Sequence, residues 1–191
     1  PEIGEIARSQ YEMAVAAIEA RETEFPSRGK GRHVPLTEVL EKSLSHDPYA
    51  AHAADAWMRL GGLHAEAGRH AVAAKTFRQV RERHADSTWV LPATLRNAEE
   101  SMLEEEDLPY SQPRLDAIRD AFQAAGGLAP DTPLAARARS GLGRIRDREA
   151  WHRRRIVRLY RIWGHDGAAG LYEERLRALE AEGDPGAGGG R

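Results

Sequence analysis

The sequence predicts an all-α protein, built as an α-solenoid of about four stacked helical hairpins, or eight helices. Three observations lead there. The chain is 41% apolar yet only 6% aromatic, and Ala, Arg and Glu, all good helix formers, abound. Apolar residues recur three and four places apart along most of the chain, whereas the alternating Val, Ile and Thr of strands are absent. Gly and Pro fall at the ends of these periodic segments, as at Gly68, Pro113, Pro133 and Gly164. At 191 residues the chain fits one large domain or a short repeat array.

The stretch Ala54 to Phe77 organises the rest. Trp57 is followed by Leu60 and Gly61, then by Gly68, then by Ala73 and Phe77 four apart. This resembles the tetratricopeptide repeat, W-x2-L-G-x2-Y, then A-x3-F, then P, over about 34 residues. His64 takes the Tyr place and Ala85 the Pro place; the other five markers match in residue and spacing. Trp57, Leu60 and His64 make the apolar stripe of one helix. Gly61 lets a second helix pack directly on the first backbone, and Gly68 can take φ > 0 and end the first helix. Ala73 and Phe77 form one face of the returning helix. Any helical hairpin also needs a stripe and a glycine turn; the register of five markers favours the repeat.

The other elements follow in order. Ile3, Ile6, Met13, Ala14, Ala17 and Ile18 keep helical spacing up to Phe25. Ala14, Ile18 and Pro26 are spaced like the second helix of a repeat, whose first helix would lie ahead of Pro1; the array is expected to be trimmed or to begin with a lone helix. The basic, Gly-containing segment 26–34 reads as a solvated loop, and GKGRH lacks the GKS or GKT of a phosphate-binding loop. Leu36, Val39, Leu40 and Leu44 share one side of a short helix. Asp47-Pro48 is expected to cap and open the Trp57 helix. Asp86-Ser87 caps a helix from Trp89 to about Glu106, with Pro92 tolerated in its first turn. An inserted connection spans 104–113, bracketed by Pro109 and Pro113, and Leu115, Ile118 and Phe122 fill the next helix, closed by Gly126-Gly127.

Asp131-Thr132-Pro133 then starts a long helix. At about 100° per residue, Leu134, Ala138, Leu142, Ile145, Ile156, Leu159, Tyr160 and Trp163 stay within one sector, so a single helix is expected from Pro133 to Trp163, with a break near Glu149 as the alternative. Gly164 ends it. Ala169, Tyr172, Leu176 and Leu179 mark a last helix. The repeat-like domain is thus 1–182, and 183–191 is a Gly-rich tail with nothing to bury.

Composition and motifs exclude several classes. With no cysteine there are no disulfides, thiolate metal sites or Cys nucleophiles, and a net charge of −2 exerts no global pull on nucleic acid. No run approaches the roughly 20 apolar residues that span a bilayer, and the start lacks a basic-then-apolar signal region. The eight His residues form no HExxH, and His46/His52 and His64/His70, each six apart, lie on different sides of a helix. There is no GxSxG elbow. Gly141-Leu142-Gly143 lies mid-helix without a preceding strand; Gly143 follows Leu142 as Gly61 follows Leu60, which suggests close helix packing there. Glu104 to Asp107 reads as a solvated acidic helix end that opposes the macrodipole, and so frays or meets a basic partner. No catalytic, cofactor-binding or metal residues are expected, and the protein is expected not to be an enzyme.

The polar feature with most information is on the long helix. Ten Arg lie between Arg137 and Arg161 against Asp147 and Glu149. Arg137, Arg144, Arg148, Arg155 and Arg158 fall with Trp151 within about 80° of one another. Such a stripe is either a solvated face or a docking strip for an acidic partner, since Arg and Trp are favoured at interface hot spots. Nucleic acid is the weakest of the three readings, since one Trp is thin for base stacking and the net charge is near zero. On the Trp57 helix, Asp55, Met58 and Glu66 are expected to line an inner face that takes a peptide or partner loop.

The segments Asp107 to Gln123, Ala129 to Arg148 and His152 to Tyr160 together resemble the BamD family of lipoproteins of the outer-membrane β-barrel assembly machinery. Asp131-Thr132-Pro133-Leu134-Ala135 matches its PDSPYA-type helix start, echoed by His46-Asp47-Pro48-Tyr49-Ala50. His152 with Ile156-Val157-Arg158-Leu159-Tyr160 resembles its later His and V-A-x-Y-Y pattern. The departures are Arg153 where an acid is expected, the absent lipid-attachment Cys and the incomplete first hairpin. The resemblance implies a periplasmic, outer-membrane-associated scaffold that docks the barrel-inserting outer-membrane protein and its client peptides, touching the membrane only through a lipid anchor absent from this chain. Generic tetratricopeptide adaptors, which can be cytoplasmic, and YbgF-like cell-envelope coordination proteins look similar at this level.

Overall fold

A computed structural model describes residues 2–20, 24–26, 33–107, 110–127 and 131–182. Among them the protein is all-α, with eight helices that pack mainly on their sequence neighbours. The chain divides into two compact units, Pro1–Glu104 and Glu105–Arg191.

In the first unit α1 (Ile3–Glu19) packs on α2 (Leu36–His46), α2 on α3 (Ala53–Glu66) and α3 on α4 (His70–Arg83). Ala14 of α1, Val39, Leu40 and Leu44 of α2, and Ala53, Ala56 and Leu60 of α3 form one buried cluster. The buried Ser43 hydroxyl donates to the Ala7 carbonyl (2.6 Å), tying α2 to α1. The helix expected to reach Phe25 stops at Glu19. Glu24–Pro26 (β1) instead pairs antiparallel with His33–Pro35 (β2), with Phe25 opposite Val34. Pro26 explains the change, because the residue before a proline is pushed out of the α region toward extended backbone. So the ends of the expected loop form a short ribbon.

A second correction concerns Asp47. It does not cap α3, which begins at Ala53; its carboxylate accepts from the Tyr49 N–H (3.3 Å), a local turn that holds the chain out of helix after α2.

The hairpin of α3 and α4 takes the expected form. A Cβ built on Gly61 would lie 2.5 Å from the Phe77 ring, so only glycine lets the ring rest on the α3 backbone. Phe77 and Ala73 are fully buried, and the Arg96 guanidinium lies 5.3 Å over the Phe77 ring centroid. Gly68 has φ 70°, and the Arg69 N–H behind it donates to the His64 carbonyl. Arg96 belongs to α5 (Val90–Asp107), whose Ala93 packs with Ala54, Val80, Trp57 and Met58. The Ser87 hydroxyl accepts from the Trp89 N–H just ahead of α5.

In the second unit α6 (Gln112–Gly126) packs on α7 (Pro133–Ile162), and α7 on α8 (Asp166–Glu182). Helix α7 is continuous for 30 residues, roughly 45 Å at 1.5 Å per residue. Thr132 caps it, its hydroxyl accepting from the Ala135 N–H (3.2 Å), with Pro133 in the first turn. Leu115, Ile118 and Phe122 of α6 are buried, as are Ala135, Ala138 and Ile145 of α7. The glycine that matters here is Gly141, whose Cβ would meet the Phe122 ring at 2.3 Å; at Gly143 a Cβ would meet nothing within 4 Å. The close-packing role expected for Gly143 therefore belongs to its neighbour two places earlier.

The apolar sector of α7 is not one core seam either. No residue of α7 beyond Ala150 is buried, and Leu159 and Ile162 are exposed, as is Trp163 just after them. Tyr160 instead stacks on Tyr172 of α8, with centroids 5.7 Å apart. Gly164, with φ 73°, turns the chain into α8, where Ala169 is buried. The expected connection 104–113 is shorter than predicted, since α5 runs on through Asp107 and α6 begins at Gln112. Pro109 and the tail 183–191 lie outside the described residues.

Candidate functional site

The arginine stripe of α7 lies on a real helical face. Arg137, Arg155 and Arg158 are exposed, while Arg144 and Arg148 are half-buried. Trp151 sits among them 46% exposed, an unusual state for so large a ring. Arg148 lies one turn before it and Arg155 one turn after, and their guanidinium carbons stand 5.4 and 4.8 Å from the indole centroid. Each such contact contributes about 0.5–1 kcal/mol at an exposed site. They fix the indole in place and hold positive charge beside an apolar surface. Arg148 also donates to the carbonyl of Glu105 (3.2 Å) in the last turn of α5, where cationic side chains satisfy orphan carbonyls.

That contact leads to a correction. The acidic run Glu104–Asp107 is not simply a solvated helix end. Glu105 is fully buried, and its Oε2 accepts from Arg114 Nη1 at 2.7 Å. The basic partner that the macrodipole argument called for is supplied by the chain itself. Glu105 Oε1 is buried with no hydrogen-bond partner among the described residues.

Sequence reasoning missed a second buried carboxylate. Glu149, in the middle of α7, is 1% exposed. Its Oε1 accepts from Arg119 Nη2 and from Gln112 Nε2, the latter at 2.9 Å. The same Gln112 amide donates to Asp116 (2.9 Å), while its Oε1 accepts from the Tyr110 hydroxyl. The Gln112 hydrogen bond, with the Arg119 ion pair behind it, holds the Asp116 carboxyl below its usual range. The Tyr110 ring stacks face to face on His152 of α7, with centroids 3.6 Å apart and planes 5° from parallel. Burial lowers the His152 pKa, reinforced by Arg155, Arg148 and Arg153; burial raises that of Tyr110, reinforced by Glu149. A signal for Glu149 was available. It is four places after Ile145 and so falls inside the apolar sector, where a carboxylate needs a partner.

Beside this network is a cavity of about 610 Å³ lined by Gln112, Arg119, Gln123, Arg139, Leu142, Arg146, Glu149, Arg153 and Leu179. Its α7 arginines are not those of the stripe. Arg139, Arg146 and Arg153 repeat every seven residues, which returns a helix to nearly the same direction, and Arg137 lies about 200° from Arg139. Helix α7 thus carries two cationic rows on roughly opposite sides.

The three inner-face residues of α3 have separate surroundings. The Asp55 carboxylate accepts from the Tyr11 hydroxyl (2.6 Å) and pairs with Arg59. Met58 packs against the cluster of Ala54, Val80 and Ala93. Of the three, only Glu66 is exposed. Among the described residues no group of three His, Asp or Glu could hold a metal ion, and no helix is long and apolar enough to cross a membrane.

No protein-family model matches the chain, and no curated protein aligns with it significantly. The class that fold and site define is therefore the architectural one, an all-α protein of consecutive helical hairpins with a cationic, tryptophan-bearing helix face.

Proposed function

We propose that this chain is a non-catalytic protein-interaction scaffold that docks an acidic partner surface on the Arg137–Arg158 face of α7. The observation that carries this is Trp151, exposed yet held between two guanidinium groups. A solvated face built only for helix stability has no use for a large indole in water. An interface anchor does: Trp and Arg supply most hot-spot energy, and a ring already held in place loses little entropy on binding. The finer reading is a BamD-like component of outer-membrane β-barrel assembly, periplasmic and lipid-anchored. It is supported by the Thr132-capped helix start and by the His152 to Tyr160 pattern. A generic tetratricopeptide adaptor, or a YbgF-like envelope protein, would use the same face for another acidic partner.

The test is capture of the periplasmic domains of a barrel-inserting outer-membrane protein. Trp151→Ala with Arg155→Glu and Arg158→Glu should weaken it at least about tenfold, the scale of one hot spot of about 2 kcal/mol. Circular dichroism should show unchanged helicity. Recovery equal to wild type would remove the docking role; failure to bind these domains at all would leave an adaptor of a different complex.

A further inference from the structure

We infer that the uncovered end of α7, from Trp151 to Trp163, seats an amphipathic α-helix whose apolar stripe is flanked by acidic residues. The inference rests on the reading of the Trp151 face as a protein-docking surface and gives the partner segment its shape and chemistry.

Helix α7 has 30 residues and α6 only 15, so α6 can cover about half of it. The two run antiparallel: Gly126 lies against Ala138, the Phe122 ring against Gly141, and the Gln112 amide on Glu149. Tyr110, just ahead of α6, stacks on His152. No residue of α7 beyond Ala150 is buried. The side of α7 that α6 covers nonetheless stays apolar. Ile156, Leu159 and Trp163 stand 7, 10 and 14 places after Glu149, which returns each of them to that side. Helix α8 meets this end of α7 through Tyr160, Arg154 and Arg161. It leaves Leu159 and Trp163 43% and 59% exposed, with Ile162 beside them at 72%.

Large apolar side chains clustered in water mark a surface that something else covers. Trp151 lies on the neighbouring side of the same stretch, with Arg155 and Arg158 between it and the other apolar residues. Together they make a ridge about 18 Å long, roughly three turns of helix. Tyr160 meets Trp163 edge-on, ring centroids 6.3 Å apart, and Trp151 lies between Arg148 and Arg155. Both indoles are thus held in place before binding, which lowers its ordering cost. A straight ridge of this length on one helix is matched by another helix, whose own side chains recur at three and four places.

The residues between the two indoles set the charge of that helix. From Arg148 to Ile162 the one acid of α7 is Glu149, which is buried, while Arg155 and Arg158 are exposed. A helix that reaches both apolar ends places its flanking positions over these two guanidinium groups. Glu or Asp there gives the forked pairing that arginine favours. A second copy of this stretch would bring the same arginines and no exposed acid. A lipid surface fits less well, because an interfacial helix keeps its cations on the polar face, whereas Arg155 lies between Trp151 and Leu159.

Fluorescence anisotropy on the full chain tests this with labelled model helices of about 20 residues, long enough to fold alone. One carries Leu at the a and d positions of a heptad, with Glu and Ala around them. A second has Gln in place of each Leu, and a third has Lys in place of each Glu. The first should saturate, and the other two should bind at least about tenfold more weakly, the scale of one lost hot spot. Leu159→Gln with Ile162→Gln and Trp163→Gln should weaken binding of the first as much. These residues are exposed and Gln is a good helix former, so circular dichroism should show α7 intact. If that variant binds like wild type while Trp151→Ala with Arg155→Glu and Arg158→Glu does not, the docking face stands and the helical occupant is overturned. Binding that survives in the Trp151 variant and is lost in the glutamine variant overturns the charge match, and the arginine-face reading with it. The inference also falls if no model helix saturates or if the lysine helix binds as well as the acidic one. It falls too if sedimentation shows wild type, but not the glutamine variant, to be a dimer, or if phosphatidylglycerol vesicles bind this face and the acidic helix does not.

Discussion

The α3–α4 and α6–α7 hairpins solve one problem in opposite order. In the first, glycine comes before phenylalanine: Gly61 on α3 receives the ring of Phe77 on α4. In the second, Phe122 on α6 comes first and Gly141 on α7 follows. Both put a fully buried ring on a bare helix backbone, where a Cβ on the glycine would collide with it. The surroundings then differ. Phe77 has the Arg96 guanidinium over it, and Arg96 in turn pairs with Glu100, which also holds His70 at 2.7 Å. In the α6–α7 hairpin the corresponding buried acid is Glu149, held by an arginine and a glutamine beside a cationic cavity. The contact between helices is a generic device, and what each unit does with its buried acid is individual.

The comparison can be broken most directly at the rings. Phe77→Ala and Phe122→Ala should each destabilise by about 3–5 kcal/mol in urea unfolding, because the glycine opposite has no side chain to fill the space. A much smaller cost for Phe122 would show that the second hairpin does not depend on its ring. Next come the glycines. Gly61→Ala and Gly141→Ala should cost about 1–3 kcal/mol by overpacking against a ring that cannot move. Gly62→Ala and Gly143→Ala, where a Cβ meets nothing, should instead stabilise by about 0.5–1 kcal/mol by restoring helix propensity. The sign change between Gly141 and Gly143 is the sharpest check, since the two differ by only two positions. If both stabilised, the ring-on-backbone contact would be absent.

Removing the buried acid comes next: Glu149→Ala should cost about 1–3 kcal/mol, because Gln112 and Arg119 lose an acceptor they share. The smallest effect concerns pH. His152 has its pKa lowered in the folded state, so below its ordinary value near 6.5 the unfolded chain holds the extra proton and stability falls with acidification. His52 and His64 in the first unit are also lowered by burial and act in the same direction. Replacing His152 by Phe should keep the stack on Tyr110 and make the decline between pH 7 and 5 shallower, followed by Tyr fluorescence; an unchanged profile would assign the dependence to the other two.

What could be read from the sequence was local. Gly61, Gly68, Ala73 and Phe77 announced themselves because a repeat hairpin fixes their spacing within one segment. Gly141 escaped because its register is set by Phe122 on the preceding helix, and the Leu142-Gly143 step imitated the first hairpin two positions out of place. The burial of Glu149 could be read from its place in the apolar sector, but the partners of Glu105 and Glu149 could not, for a related reason. Arg114 is nine residues from the one and Arg119 thirty from the other, and which guanidinium reaches which carboxylate is decided by how α6 lies against the last turn of α5 and against α7. The stripe holding Trp151 was visible by periodicity alone, whereas the cavity lined by the opposite row, Arg139, Arg146 and Arg153, could be seen only in the packing of the helices. The β1–β2 ribbon turns on Pro26, whose spacing from Ala14 and Ile18 matches the closing proline of a repeat but which also pushes the residue before it toward extended backbone.

More than half of the buried apolar residues among those described are alanines. A methyl group has no rotamers to choose among, so these seams settle without a search for side-chain arrangement and lose little entropy in closing. The same economy makes them one-sided toward mutation. Shrinking a position to glycine removes one methyl and loosens the helix, while adding a branch would push two backbones apart along their whole length. Sequence change in this protein should therefore concentrate on its outward rows, where new partners can be accommodated without disturbing the framework that presents them.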